Sequence, residues 1–97
     1  MQNILSKIGL QNRALEKLFK TYRVKKIALF GSYVNGSSNK HSDIDFLVEF
    51  EKDADLMDQA GLKLDLEELL HRKVDVVTPG ALSKYFRSKV LNEAIYL

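Results

Sequence analysis

Two aspartates at the start of an apolar run constrain the fold more than any other feature of this sequence. Asp43 and Asp45 lead the run "DIDFLVEF", residues 43–50, whose apolar pattern predicts a β-strand. Residues two apart on a strand leave the same face of a sheet, so both carboxylates are expected on one face. Like charges held this close repel each other, and burying either one without a positive partner is unfavourable. A divalent cation such as Mg²⁺ is the natural partner, because it prefers carboxylate and phosphate oxygens.

A glycine–serine pair precedes this strand and offers a complementary kind of site. The apolar run "IALF", residues 27–30, predicts another strand, and Gly31-Ser32 end it. Glycine lets the backbone approach an anion closely, and successive N–H groups with a serine hydroxyl can hold phosphate oxygens. The two strands and the turn between them therefore predict a phosphate-binding turn beside a metal-binding strand.

A third carboxylate comes from a later apolar run. Residues 73–78, "KVDVVT", predict a strand in which Asp75 points away from Val74 and Val76. If this strand pairs with residues 43–50, Asp75 arrives beside Asp43 and Asp45. Three carboxylates on one sheet face can hold two metal ions, an arrangement that serves phosphoryl and nucleotidyl transfer.

Helical periodicity accounts for the remaining segments. It predicts a helix over residues 3–22 with a weak point at Gly9, a helix from about residue 56 with Asp55 as its cap, and a closing helix from Ala81. The order α-β-β-α-β-α predicts an α/β (α+β) fold, a small mixed sheet with helices packed on it. We expect residues 1–97 to form a single domain, since 97 residues, 45% of them hydrophobic, suit one core.

One aromatic pattern and one leucine pattern predict how the helices pack. In the closing helix, Tyr85, Phe86 and Tyr96 fit a packing stripe better than a platform for stacking bases. In the preceding helix, the alternation of Leu62, Leu64 and Leu66 departs from helical spacing, so some of these leucines are candidates for an exposed partner-binding patch.

Composition excludes several classes of function. Fifteen basic and 13 acidic residues are spread along the chain, which does not suggest direct nucleic-acid binding. The absence of cysteine excludes disulfides, thiolate metal sites and a cysteine nucleophile. No apolar run reaches the roughly 20 residues of a membrane helix, and charge interrupts the N-terminus. We expect a cytoplasmic protein without membrane contact.

The combined pattern resembles a known family. "FGS", ten residues, "DID" and a later strand that carries Asp75 resemble the DNA-polymerase-beta-type nucleotidyltransferase superfamily. The short chain and its ending, "RKVDVVTPGALSKYFRSKVLNEAIYL", resemble the minimal nucleotidyltransferase subfamily. The resemblance implies the palm-like nucleotidyltransferase fold of that superfamily.

The same resemblance implies a role for each site residue. Gly31 and Ser32 would hold the nucleotide's β- and γ-phosphates, and Asp43 and Asp45 would bind two Mg²⁺ ions. Asp75 would bind the catalytic metal and orient or deprotonate the acceptor hydroxyl. The reaction would be an in-line attack on the α-phosphorus of ATP or another nucleoside triphosphate. One difference lies in the turn, where Asn35 stands at a position that is arginine in many relatives and removes a bidentate positive charge.

The resemblance also implies a partner. Members of this subfamily pair with a HEPN-domain protein in a toxin–antitoxin module and add AMP to a tyrosine of the toxin, which implies a hetero-oligomer. Two alternatives remain open from the residues. The chain could neutralise its partner by occlusion with little catalysis, or it could be a small-molecule adenylyltransferase that a partner subunit completes.

Overall fold

The computed structural model describes residues 8–31 and 43–97, which contain three α-helices and four β-strands. In chain order they are α1 (Asn12–Thr21), β1 (Val24–Phe30), β2 (Ile44–Phe50), α2 (Leu56–Leu70), β3 (Val74–Val77), α3 (Lys84–Glu93) and β4 (Ile95–Tyr96), with a 3₁₀ turn at Pro79–Ala81 before α3. None of these helices combines the length and the apolar content that crossing a membrane would require.

The four strands form one mixed sheet in the order β3-β2-β1-β4. β1 pairs antiparallel with β2 and with β4, whereas β2 and β3 run parallel. A parallel pair needs a crossover connection, and α2 supplies it between β2 and β3. The pairing of the second and third strands, on which the approach of Asp75 to the other aspartates depended, is therefore present.

The hydrophobic core lies between one face of the sheet and the helices α1 and α2. Alternate residues of the strands point into it, and leucines from the two helices cover them. Its central members are Leu15, Leu18, Ile27, Leu29, Ile44, Phe46, Val48, Leu62, Leu66, Leu70 and Val74. The intervening strand residues, among them the aspartates, consequently lie on the opposite face.

The start of α2 confirms the expected cap. The Asp55 side chain accepts a hydrogen bond from the Asp58 backbone N–H at 3.1 Å, and Asp58 accepts one from the Asp55 N–H at 3.0 Å. This reciprocal capping box satisfies two N–H groups that a helix start would otherwise leave unpaired. The helix ends at Leu70, and the next residue, His71, caps it with a left-handed φ of 54°.

The leucines of α2 correct an expectation about periodicity. Leu62 and Leu66 are buried one turn apart, and Leu64 between them is 64% exposed. This is ordinary helical spacing. Leu62 and Leu66 are four residues apart and share a face, whereas Leu64 is two residues from each and points to the opposite side of the helix. Of the three leucines, only Leu64 is available for a surface patch.

The N-terminal helix is also interrupted where glycine permits it. Of the expected span 3–22, residues 3–7 lie outside the described part of the chain. Gly9 takes a φ of +83°, and α1 begins only at Asn12. A left-handed glycine ends a helical turn because no Cβ clashes with the backbone there. At the other end, the Tyr22 hydroxyl donates a hydrogen bond to the Asp65 carboxylate of α2.

The C-terminal prediction is wrong in two respects. The expected closing helix from Ala81 is a 3₁₀ turn followed by α3, and Ile95–Tyr96 then form β4 against β1. Tyr85 and Phe86 do not form a packing stripe, since they are 93% and 63% exposed. Helical spacing predicted the helix itself, but spacing cannot show that a neighbouring element covers the apolar side.

Candidate active site

The register of β2 and β3 places two of the predicted carboxylates directly opposite each other. Asp45 and Asp75 are Cα partners in the parallel pair. The Ile44 N–H donates to the Lys73 carbonyl oxygen at 3.0 Å, which fixes this register immediately before Asp45. Partners in register point to the same face, so both carboxylates leave the sheet on the side away from α1 and α2.

Asp43 lies just before β2 and completes the predicted set. It is exposed, as is Asp75, whereas Asp45 is half-buried. Within residues 8–31 and 43–97, no three carboxylate or imidazole side chains are close enough together to hold one metal ion as they stand. The donors nevertheless fit Mg²⁺ in chemical kind, because all three are hard carboxylate oxygens.

The electrostatics of Asp45 also fit a cation site. Burial raises the pKa of Asp45 above its ordinary value, and the negative charges of Asp75 and Asp43 raise it further. Both causes disfavour the ionised carboxylate. A positive charge bound beside Asp45 would offset both effects. The cluster therefore fits a bound cation.

Gly31 lies at the end of β1, beside Asp45. The preceding residue, Phe30, is the Cα partner of Asp45, and Gly31 takes a φ of +77°. A Cβ placed on Gly31 would collide with the Asp45 Oδ2 atom and would lie 3.3 Å from its Cγ. The glycine thus gives room to a carboxylate as well as to the turn. Ser32 and Asn35 lie outside the described residues.

Two side chains of α2 hold the outer edge of the strand that carries Asp75. Glu67 accepts a hydrogen bond from the Val74 N–H at 3.1 Å, and Gln59 donates one to the Val76 carbonyl oxygen at 3.2 Å. These bonds bracket Asp75 on both sides. Sequence reasoning missed Gln59, although a polar residue in line with the buried Leu62 and Leu66 was a readable signal.

Comparison with known proteins gives the same fold and a consistent chemistry. The family model for the nucleotidyltransferase domain matches residues 10–97. The protein adenylyltransferase MntA of Thermococcus cleftensis is 37% identical over 82 residues, which cover 84% of this chain and 83% of that protein.

Solved structures extend this similarity to three dimensions. A structure provisionally named as a minimal nucleotidyltransferase matches with a TM-score of 0.80 and 36% identity, over 97% of this chain and 92% of that one. A toxin–antitoxin structure with AMP-PNP matches with a TM-score of 0.70 and 27% identity, over 90% and 72% of the respective chains. The expected fold class, a small mixed sheet with helices in the nucleotidyltransferase arrangement, is confirmed.

Proposed function

The chain belongs to the nucleotidyltransferase domain family and is an enzyme of that type, and from this premise we propose that it transfers AMP from ATP to a hydroxyl group of a partner protein. The observation that carries the proposal is the register of Asp75 with Asp45, across β2 from Gly31. In the proposal, the phosphate-binding turn, the metal-binding carboxylates and the proton acceptor come from three adjacent strands.

Each residue has a separate task in the proposed reaction. The turn at Gly31 and Ser32 would hold the β- and γ-phosphates through backbone N–H groups and a hydroxyl. Asp75 would orient the acceptor hydroxyl and accept its proton. The hydroxyl oxygen forms a bond to the α-phosphorus while the bond to the bridging β-phosphate oxygen breaks, and that electron pair leaves with pyrophosphate. The half-buried Asp45 lies between these two ends of the site.

Asp43, Asp45 and Asp75 would hold Mg²⁺, and we propose two ions. Bound there, such ions supply charge neutralisation for the phosphate oxygens and for the carboxylates. The raised pKa of Asp45 supports this assignment, because a bound cation would offset its causes, which are burial and the negative charges of Asp75 and Asp43.

The proposed partner is a HEPN-domain toxin, and the proposed acceptor is a tyrosine of that toxin. The support is the similarity to the protein adenylyltransferase MntA and to a chain of a toxin–antitoxin structure with AMP-PNP, together with the resemblance to the subfamily that pairs with HEPN proteins. The chain would then act as an antitoxin in the cytoplasm, where ATP is available, within a hetero-oligomer.

Transfer of label from α-³²P-ATP tests the proposal directly. The wild type, the double variant Asp43→Asn/Asp45→Asn and the surface control Asp53→Asn are each mixed with the partner protein, ATP and Mg²⁺. We expect label on the partner with the wild type and the control, and a loss of at least about 100-fold with the double variant, as for removed catalytic groups. Binding of the partner is measured in parallel and should persist.

The same variants separate the alternatives. Full neutralisation of the toxin by the double variant would mean that occlusion suffices and would overturn the proposal that transfer is the function. Label appearing on a small hydroxylated molecule, with none on the protein, would assign the enzyme to small-molecule modification instead.

A further inference from the structure

A groove lies at the outer edge of β3, and Asp75 is among the residues that line it. It has a volume of about 350 Å³ and is lined by Leu56, Gln59, Ala60 and Lys63 of α2 together with Asp75 and Val76 of β3. We propose that this groove binds the segment of the protein substrate that carries the acceptor hydroxyl. The inference rests on the proposed function and adds to it the surface that selects the acceptor.

The order of the strands determines the side from which the acceptor approaches. Gly31 follows β1, Asp45 lies on the adjacent β2, and Asp75 lies on β3 at the edge of the sheet. In an in-line displacement the attacking oxygen arrives opposite the leaving oxygen. With the leaving pyrophosphate held at Gly31, the acceptor would arrive over β3, and the described residues form a groove at that edge of the sheet.

Side chains of α2 already occupy part of the outer edge of β3, so a further strand could not pair with all of it. The Val74 N–H and the Val76 carbonyl are already bonded to Glu67 and Gln59. A segment that enters the groove would therefore bind through its side chains, and not by adding a strand to the sheet. This makes the groove a candidate for reading the residues around the acceptor.

The chemistry of the groove walls specifies those residues. Leu56 is 81% exposed although it is a large apolar side chain, so an apolar residue of the acceptor would cover it favourably. Lys63 is exposed and makes no ion pair with any residue in the described part of the chain, so it can receive a carboxylate. The occupant is thus a tyrosine segment flanked by an apolar and an acidic residue.

Matched substitutions test the groove. Leu56→Glu places a charge in the apolar wall, and Met57→Glu is its control, because Met57 is equally exposed at 81% but does not line the groove. Lys63→Glu reverses the groove's positive charge, and Lys17→Glu on α1 is its control. The probes are synthetic tyrosine peptides with a neighbouring leucine and either a glutamate or a lysine. AMP transfer is measured as kcat and KM for each peptide, alongside binding of a fluorescent ATP analogue.

We expect Leu56→Glu and Lys63→Glu to raise the peptide KM about tenfold, the ratio that corresponds to losing one good contact. The binding of the ATP analogue and both controls should stay at wild-type values. Lys63→Glu should also reverse the preference, so that the lysine peptide becomes the better acceptor.

Two results would overturn the inference while leaving the proposed function intact. In one, the wild type modifies the intact partner protein but no peptide. In the other, the groove variants use peptides with unchanged KM. Failure of the wild type to modify the partner protein at all would instead contradict the proposed function, and the inference would fall with it.

Discussion

Gly31 is the residue at which backbone conformation and site geometry meet. Its φ of +77° is one that residues with a Cβ rarely adopt, and the missing Cβ leaves space for the Asp45 carboxylate. Three glycines of the chain allow the effect of the positive φ to be separated from the effect of the missing Cβ. Gly31 has both, Gly9 has only the positive φ, and Gly80 has neither.

Substituting these three glycines by alanine should produce a graded loss of stability. Gly80→Ala should change the free energy of unfolding little, and Gly9→Ala should lower it by about 1–2 kcal/mol from the left-handed backbone. Gly31→Ala should lower it further, because the new methyl group also displaces Asp45. Urea denaturation of the three variants measures the series. Equal losses for Gly9→Ala and Gly31→Ala would mean that the Asp45 side chain moves aside at no cost.

Asp45 makes a second residue-scale prediction, which concerns pH. Because its pKa is raised in the folded protein, the folded state binds this proton more tightly than the unfolded chain does. That stabilisation is present below the ordinary value of 3.8 and is lost as the pH rises through the raised value. Asp45→Asn cannot ionise and should therefore be more stable than the wild type at neutral pH in EDTA.

The size of that difference should depend on pH. Urea denaturation of Asp45→Asn and the wild type at about pH 4 and at pH 7 should show a smaller advantage for the variant at the lower pH. The exposed Glu16→Gln serves as the control for removal of a surface carboxylate. A wild type that is as stable as the variant at pH 7 would contradict the assigned repulsion.

At the scale of elements, α1 and α2 are joined by one polar contact beside the core. The Tyr22 hydroxyl bonds to Asp65, and Gly61 makes room for the tyrosine ring, since a Cβ there would lie 2.5 Å from Tyr22 Cε1. The hydrogen bond to Asp65, together with burial and the negative charge of Asp65, raises the pKa of Tyr22 to about 12. Ionisation of this tyrosine would break the contact.

Tyr22→Phe should therefore change how stability depends on alkaline pH. Below the ordinary tyrosine pKa of 10.0, the wild type should be more stable by about 1 kcal/mol, the usual contribution of one hydrogen bond. That advantage should shrink as the pH rises from 10 towards 12. Over this range the unfolded chain loses the tyrosine proton while the folded protein, with its raised pKa, still holds it at a growing cost, and the advantage is lost once the folded form ionises too. Urea denaturation across this range measures the effect, with the exposed Tyr85→Phe as control. A difference independent of pH would contradict the role of the Tyr22 proton.

The elements themselves were predictable where the sequence carries local signals. Alternation and turn residues predicted β2 and β3, and Asp55 marked the start of α2. β1 begins at Val24, three residues before the predicted apolar run at Ile27. The prediction missed this start because Lys25 and Lys26 interrupt the apolar pattern. The two-residue β4 has too few positions for a pattern, and its pairing with β1 depends on distant residues.

The same reasoning explains which parts of the site could be predicted. Strand geometry alone predicted a shared face for Asp43 and Asp45, whereas the partnership of Asp45 with Asp75 needed the sheet order. Gln59 and Lys63 approach Asp75 only because α2 crosses back over the edge of β3. Their position near Asp75 depends on how α2 packs against β3, and the periodicity of the sequence does not show that packing.

At the scale of the whole molecule, the proposed metal site on the carboxylate face would link metal binding to stability. A ligand that binds only the folded protein stabilises it by about 2.7 kcal/mol at one hundred times its dissociation constant. Mg²⁺ should accordingly raise the melting temperature of the wild type, and EDTA should reverse the increase. Asp45→Asn should respond far less. Differential scanning fluorimetry with Mg²⁺ and with matched NaCl distinguishes specific binding from screening. An equal response of both proteins would remove Asp45 from the metal site.

The mixed sheet also has a consequence for the order in which the site would be lost on heating. Gly31 and Asp45 meet through β1 and β2, which are close along the chain, whereas Asp75 joins them through the long crossover of α2. Closing the longer connection costs more chain entropy, and within the described part of the chain β3 pairs with one strand, β2. If the proposed function holds, warming should therefore displace Asp75 first, so that the protein would still bind ATP at temperatures where it no longer transfers AMP.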